Sequence, residues 1–397
     1  MRKLMRQSAE WICLIASYLV FYPMMSFGSL FRKDMPSKKE ILILSNDLLG
    51  DAISRLPFFA ALRKEFPAST HRICVLVNRS YEELYRSMPY FDEVISVKTT
   101  FDRHPIIWLL NWDLNWATTK RNVDILISCL KESSLWQSFL HRMLQPQTAT
   151  GPCRNRKFSN PGISTDCRYL SLPRIGQSLI ADFNSVLKFI KPGASDLHRL
   201  KAEETSFLVR PIDRFELSKP YIAVVPGAGT RYRRWPIERF SRVLIAISKE
   251  FPSLSVVVLG SNKEHVLGEQ IRQTLPGGVQ NLCGKTSFFE LGGILRDAKI
   301  VLTNETGSAT FSAVLGAPTV CILGGGDFGT YFPNSDFYPN TISVYNNEPC
   351  FGCVWRCSRD DLKCLAPCID SISEASVLSA MKSILTCDAN HSTNNPL

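Results

Sequence analysis

Short apolar runs recur along the chain, separated by stretches with helical spacing. Ile41–Leu44, Ile73–Val77, Val94–Val97 and Val123–Ile127 fall in the first half. The second half repeats the pattern, with a run opening Tyr221–Phe240 and others at Val256–Leu259, Ile300–Thr303 and Thr319–Leu323. The runs are continuous rather than alternating, as expected of strands buried on both faces. Runs of this kind between helices predict a parallel sheet with helices on either side. The clearest unit is VLTNETGSATFSAVLGAPTVCILG, Val301 to Gly324. Its two strands are joined by one short helix, which makes a parallel βαβ unit. The helix opens at Thr306-Gly307-Ser308. Free backbone N–H groups and the helix dipole at such an opening favour an anion, and Gly307 lets a phosphate approach closely.

A length of 397 residues suits two domains. The boundaries read as an N-terminal segment 1–38, an α/β domain 39–200, a linker 201–219, a second α/β domain 220–386 and a polar tail 387–397. Thr99–Ala117 is rich in Trp and reads as an insertion, and Gln145–Ser171 as a mobile loop. No internal repeat or low-complexity tract interrupts this plan.

Charge adds one feature. The net charge is +10, and residues 1–39 alone carry +5. That excess flanks Trp11–Phe31, 21 residues without a charge, which as a helix would reach about 31 Å, enough to cross a bilayer core. A basic, apolar N-terminus points to an anionic membrane surface, the inner membrane, rather than to nucleic acid. No zinc-finger, homeodomain or RNA-binding signature supports a nucleic-acid partner. Pro23 divides the segment, so a kinked piece dipping into the cytosolic leaflet fits both basic flanks. A cleaved signal peptide, or a helix packed on the protein itself, are the other readings.

Four segments together carry a resemblance. They are Ile41–Pro67 (ILILSNDLLGDAISRLPFFAALRKEFP), Tyr221–Phe240 (YIAVVPGAGTRYRRWPIERF), Asn281–Ala298 (NLCGKTSFFELGGILRDA) and Val301–Gly324. In order and spacing this set resembles glycosyltransferase family 9, the bacterial heptosyltransferases, over roughly Lys39 to Leu385. The family usually shows Asp-Thr-Gly, two residues, then His; here Glu305 and Thr310 stand at the acidic and His positions. The resemblance implies a GT-B fold, two Rossmann-like α/β domains with parallel sheets facing across a cleft. The first domain would bind the acceptor, with Thr99–Ala117 over its acceptor side, and the second the nucleotide-sugar donor.

Inverting sugar transfer needs a base for the acceptor hydroxyl and charge to balance a departing nucleoside diphosphate. The resemblance assigns the base to Asp51, after Gly50; the other reading makes Asp51 a helix N-cap. Asp47 is the rival base. For the leaving group, no two aspartates stand two residues apart, so the usual Asp-x-Asp metal ligands are lacking. Cationic side chains and a helix N-terminus are the other route. Arg233 stands two before Trp235, where the family usually has Lys, with Arg231 and Arg234 beside it; a solvated arginine loop is the alternative. Thr230, Glu305, Thr306, Gly307 and Ser308 complete the expected donor contacts. Glu264 is expected either on the nucleoside ribose, as in the family, or as a helix-start residue. Trp235 is either a packing anchor or a ligand contact, and Pro236 suits the first turn of the next helix.

Two further patterns stand apart. GGGDFG, Gly324–Gly329, matches the dinucleotide fingerprint Gly-x-Gly-x-x-Gly, but the TYFPNSDFYP that follows carries two prolines and cannot open the required helix. The loop reads instead as a flexible wall of the donor site. Cys350, Cys353, Cys357, Cys364 and Cys368 lie within nineteen residues. The first four could hold a structural zinc; reduced packing thiols or a redox-labile loop are the alternatives. The six histidines form no ligand spacing. The expectation is an inverting, metal-independent glycosyltransferase with no cofactor, moving heptose or another sugar from a nucleotide donor such as ADP-heptose onto a lipid-linked or lipopolysaccharide core acceptor. It would work in the cytoplasm, peripheral to or anchored at the inner membrane. A transferase with another donor, or a non-catalytic nucleotide-sugar-binding relative, are the rivals.

Overall fold

The computed structural model describes residues 38–45, 48–97, 121–129, 144, 146–151, 178–355, 357 and 365–392. The Trp11–Phe31 segment, Asp47, Thr99–Ala117, most of Gln145–Ser171 and Cys364 lie outside these residues. Among those described, no helix is long and apolar enough to cross a membrane.

The chain divides into two units. Unit 1 takes residues up to Leu48, Phe58–Arg174 and Ile180–Leu197; unit 2 takes Leu49–Pro57, Ile175–Leu179 and everything from His198. The sheet of unit 1 has five parallel strands: β1 (Lys39–Ser45), β2 (His71–Asn78), β3 (Glu93–Val97), β4 (Ile125–Ser128) and β5 (Thr148–Thr150). Their order is β3-β2-β1-β4-β5, so β1 is central and Ile41 lies between Ile73 and Ile125. The last six residues of β1 are buried, as a strand covered on both faces requires. Arg121 bridges Glu40 of β1 at 3.0 Å and Glu93 of β3 at 2.6 Å, fastening strands that do not pair with each other. β4 sits two residues later than the run Val123–Ile127.

Unit 2 has six parallel strands: β6 (Tyr221–Val225), β7 (Ser255–Val258), β8 (Val279–Asn281), β9 (Ile300–Asn304), β10 (Thr319–Ile322) and β11 (Thr341–Val344). Their order is β11-β10-β9-β6-β7-β8. The connections therefore run outward from β6 to β7 and β8, and from β9 to β10 and β11. The point between β6 and β9 is where the strand order reverses. Open α/β sheets bind ligands outside the carboxyl ends of their strands at such a point.

The core of unit 2 forms under helices with one apolar stripe. The helix Ile237–Glu250 buries Phe240, Val243, Leu244 and Ile247, the three-and-four spacing of a single face. Val377, Met381 and Leu385, four apart on Glu374–Ser392, join the same cluster. Trp235 is 1% exposed. Its ring meets Phe240 edge-on at 5.2 Å, and its Nε1–H donates to the Ile372 carbonyl at 3.0 Å. Trp235 is thus a packing anchor rather than a ligand contact. Pro236 takes the N-cap of Ile237–Glu250, one residue before its first turn.

The helix Phe288–Asp297 opens with a capping box between Ser287 and Glu290. Arg214 adds two bonds to the Glu290 carboxylate, at 2.5 and 2.8 Å. The Arg214 hydrogen bond leads in lowering the Glu290 pKa from the ordinary 4.5 to about 2. A lowered carboxylate pKa means that the ionised form favours the fold, so this contribution is present above about pH 4.5 and lost as pH falls toward 2. Glu290→Gln is expected to cost about 1 kcal/mol at neutral pH. Chemical denaturation across pH should show the gap to wild type closing through that window.

Candidate functional site

Two loops meet at the switch point of unit 2: Pro226–Arg234 after β6, and Glu305–Ser308 after β9. Asn304, fully buried at the end of β9, joins them. Its Nδ2 donates to the carbonyls of Pro226 at 2.8 Å and Gly227 at 3.3 Å, and its Oδ1 accepts from the Trp235 amide at 3.1 Å. One amide side chain thereby sets the spacing of the first loop against the second. Nothing in the sequence marks Asn304 beyond its place in an apolar strand.

The three arginines of the first loop have different roles. Arg231 is exposed. Arg234 closes its own loop, donating twice to the Ala228 carbonyl at 3.0 and 3.1 Å. Arg233 reaches the second loop. Its Nη2 donates to the Glu305 carbonyl at 3.1 Å and lies 3.6 Å from the Glu305 carboxylate, which is buried. The Arg233 Nε is buried and has no hydrogen-bond partner; the same is true of the hydroxyls of Thr230 and Thr306. Buried polar atoms in native proteins are nearly always satisfied. Three donors that are not, on two adjoining loops, mark a place built to be completed by a ligand that accepts hydrogen bonds. Thr306 is the N-cap of Gly307–Val314 but makes no side-chain cap bond, so its hydroxyl is not committed to the helix. Ser308 is partly buried in the first turn. Anion-favouring N–H groups, the Arg233 cation and free hydroxyls are thus concentrated in one place.

Glu264 takes the helix-start role read for it. It accepts from the Ser261 amide at 2.7 Å and hydroxyl at 2.9 Å as part of a capping box. The same carboxylate lies against the first loop, for a Cβ on Gly227 would fall 1.6 Å from its Oε1.

The segment Leu49–Pro57 groups with unit 2, although it follows β1 and was placed in the first domain by sequence. Asp51 is the third residue of the helix Leu49–Ser54, not its N-cap. Its Oδ1 accepts a hydrogen bond from the Tyr331 hydroxyl. Tyr331 keeps a partly exposed edge, but its hydroxyl lies deep. Burial, with the Asp51 charge beside it, pushes that hydroxyl well above its ordinary pKa, so it stays protonated and donates at neutral pH. Sequence gave no signal for Tyr331, which arrives from a loop 280 residues further on. Gly307 is used differently from the expectation. A Cβ there would sit 2.9 Å from the Gly50 amide nitrogen, and a Cβ on Gly50 would sit 3.0 Å from the Gly307 Cα. The bare Cα of Gly307 therefore makes room for the Gly50 backbone.

The described thiols Cys350, Cys353, Cys357 and Cys368 line one pocket and are not disulfide-bonded. Among the described residues, no three His, Cys, Asp or Glu side chains are grouped closely enough to hold a metal ion. Cys350, Cys353 and Cys357 are therefore not drawn into one ligand set; the Cys368 sulfur is engaged with the Gly325 amide at 3.4 Å.

Residues 178–358 match the family model "Glycosyltransferase family 9 (heptosyltransferase)". The match spans a little under half of this chain, and over those residues the chain is similar to that family. The lipooligosaccharide heptosyltransferase 2 of Haemophilus influenzae is 27% identical over 151 residues, 34% of this chain and 43% of that protein. The matched stretch thus spans less than half of that relative. Among solved structures, E. coli ADP-heptose lps heptosyltransferase II aligns over 88% of this chain and 99% of its own, with 18% identity and a TM-score of 0.63. E. coli heptosyltransferase WaaC with ADP aligns over 87% and 99%, with 14% identity and a TM-score of 0.62. At these identities the structures speak for the fold, which is GT-B, with two parallel-sheet α/β domains.

Proposed function

We propose that this protein is an inverting glycosyltransferase of family 9 that moves heptose from ADP-heptose onto a lipopolysaccharide core or related lipid-linked saccharide. The observation that carries the reading is the group of unsatisfied polar atoms on Thr230, Arg233 and Thr306 at the switch point of unit 2. A diphosphate supplies the acceptors those groups lack. Similar proteins point the same way, since one solved structure carries ADP and another is named for ADP-heptose.

In this mechanism the Asp51 carboxylate takes the proton of the acceptor hydroxyl. The acceptor oxygen forms a bond to the anomeric carbon from the face opposite the diphosphate. The bond from that carbon to the phosphate oxygen breaks, and its electron pair leaves with ADP. Attack from the opposite face inverts the anomeric centre. Tyr331 donates to Asp51 through Oδ1 and so helps to hold the carboxylate in place. Arg233 and the amides opening Gly307–Val314 stabilise the charge that develops on the leaving group, the preorganised electrostatics that such reactions depend on. No resident metal is invoked.

The test is incubation of the full chain with ADP-heptose and a lipopolysaccharide acceptor truncated before its heptose, with and without EDTA, followed by mass spectrometry and anomeric NMR. Addition of one heptose, inverted and insensitive to EDTA, is expected. Turnover only with a different nucleotide sugar would reassign the donor. Binding without turnover of any donor would favour a non-catalytic relative, which the departures at Glu305 and Thr310 make the rival. EDTA sensitivity reversed by Mg²⁺ or Mn²⁺ would overturn the metal-independent step.

A lipid-linked acceptor also gives a role to the basic flanks of Trp11–Phe31. The full chain is expected to sediment with anionic vesicles at low salt, and a version starting at Met35 to remain in solution and still bind donor. A full chain left wholly in the supernatant would refute the membrane reading.

A further inference from the structure

The glycine run after β10 and the cysteine-rich segment after β11 meet beside Arg233. A Cβ on Gly324 would lie 2.6 Å from the Trp355 ring, one on Gly326 2.2 Å from the same ring, and one on Gly325 2.3 Å from Phe351. These glycines are bare because two aromatic rings occupy the space. The backbones are also joined: the Gly352 amide donates to the Gly325 carbonyl at 2.7 Å and the Val354 amide to that of Gly326 at 2.9 Å. The indole Nε1–H donates to the Asp327 carboxylate at 2.8 Å. The loop is therefore pinned, not a flexible wall.

Val354 and Trp355 both have positive φ, 52° and 55°. That region is uncommon for any side chain and worst for a β-branched one. Such a backbone persists only where its surroundings over-determine it, as the glycine cradle and Asp327 do here. It places the Trp355 ring centroid 4.5 Å from the Arg233 guanidinium carbon.

We propose that Trp355 is a positioning residue of the donor site, covering one face of the Arg233 guanidinium so that its N–H edge is held for the diphosphate. This rests on the donor-site reading above. Arg233 is otherwise fixed by a single hydrogen bond and a 3.6 Å approach to Glu305, which leaves a long side chain free to turn. A ring on the flat face restrains it without using any N–H group, because cation–π contact and hydrogen bonding engage different parts of a guanidinium. The edge, with its unpartnered Nε, remains available for planar recognition of phosphate oxygens.

The test is calorimetric titration of ADP, carried to millimolar concentration, into the full-length wild type, Trp355→Phe, Trp355→Leu, Arg233→Ala and the Arg233→Ala/Trp355→Leu double variant. Leucine is expected to weaken ADP binding by about 2- to 30-fold, the span of a cation–π contact from exposed to desolvated. Phenylalanine, which keeps a π face but not the bond to Asp327, should recover most of that loss. In the Arg233→Ala background leucine should add nothing. The non-additivity is the deciding reading, since mere loosening of the loop would weaken binding in both backgrounds. Equal losses in both, or no difference between leucine and phenylalanine, would overturn the role. If the leucine protein does not melt cooperatively, Trp355→Met takes its place in the cycle. Failure of the wild type to bind ADP, UDP or GDP would overturn the donor-site reading itself, and this role with it.

Discussion

Asp51→Asn is expected to reduce turnover by about 10² to 10⁴, the usual contribution of a positioned general base, while donor affinity stays nearly constant. The substitution keeps the size of the side chain and its acceptor for the Tyr331 hydroxyl. What it removes is the capacity to take a proton. Asp51 lies inside the first turn of Leu49–Ser54 rather than at its N-cap, so loss of a cap cannot account for a fall in activity. Steady-state kinetics with ADP-heptose, beside ADP titration and a thermal melt, separate the outcomes. A variant that turns over normally but melts several degrees lower would assign Asp51 a structural role. The search for the base would then move to Asp47.

Arg233→Ala should damage binding and chemistry together. The side chain is a cation joining the loops after β6 and β9, and its removal leaves the Glu305 carboxylate buried beside the proposed diphosphate position without that cation. Donor affinity should fall, and turnover should drop by about 10² to 10³, the range seen when one preorganised donor to developing charge is lost. Arg233→Lys keeps the charge but gives up the planar face and the fork of N–H donors. It should lie between alanine and wild type even though the family usually carries Lys there. Unchanged donor affinity in the alanine variant would place the diphosphate elsewhere.

How much of this was legible in the sequence depended on how local each signal is. Central parallel strands are buried on both faces, so β1, β2, β6, β9 and β10 announced themselves as apolar runs. β5 (Thr148–Thr150), β8 (Val279–Asn281) and β11 (Thr341–Val344) are edge or short strands with mixed composition; only their neighbours make them strands, and no run marks them. The site followed the same division. Arg233 and Thr306–Ser308 lie in contiguous motifs and were read there, as were Thr230 and Glu264. Asn304, Tyr331 and Trp355 act across tens to hundreds of residues, through one hydrogen bond or one ring face, and leave no periodic trace. The glycines 324–326 were visible, but their cause was not, since the rings filling their space come from Phe351 and Trp355.

The close approach of Gly50 and Gly307 bears on any attempt to redesign this protein for a new donor. With no side chain between them, the two backbones share a boundary that has no slack. A substitution at Gly307 meant to reshape the pocket for another sugar would push on Gly50, and with it on the neighbouring Asp51. Libraries aimed at donor preference should therefore vary the two loops jointly, and a loss of rate in single-loop variants need not mean that the new sugar has failed to bind.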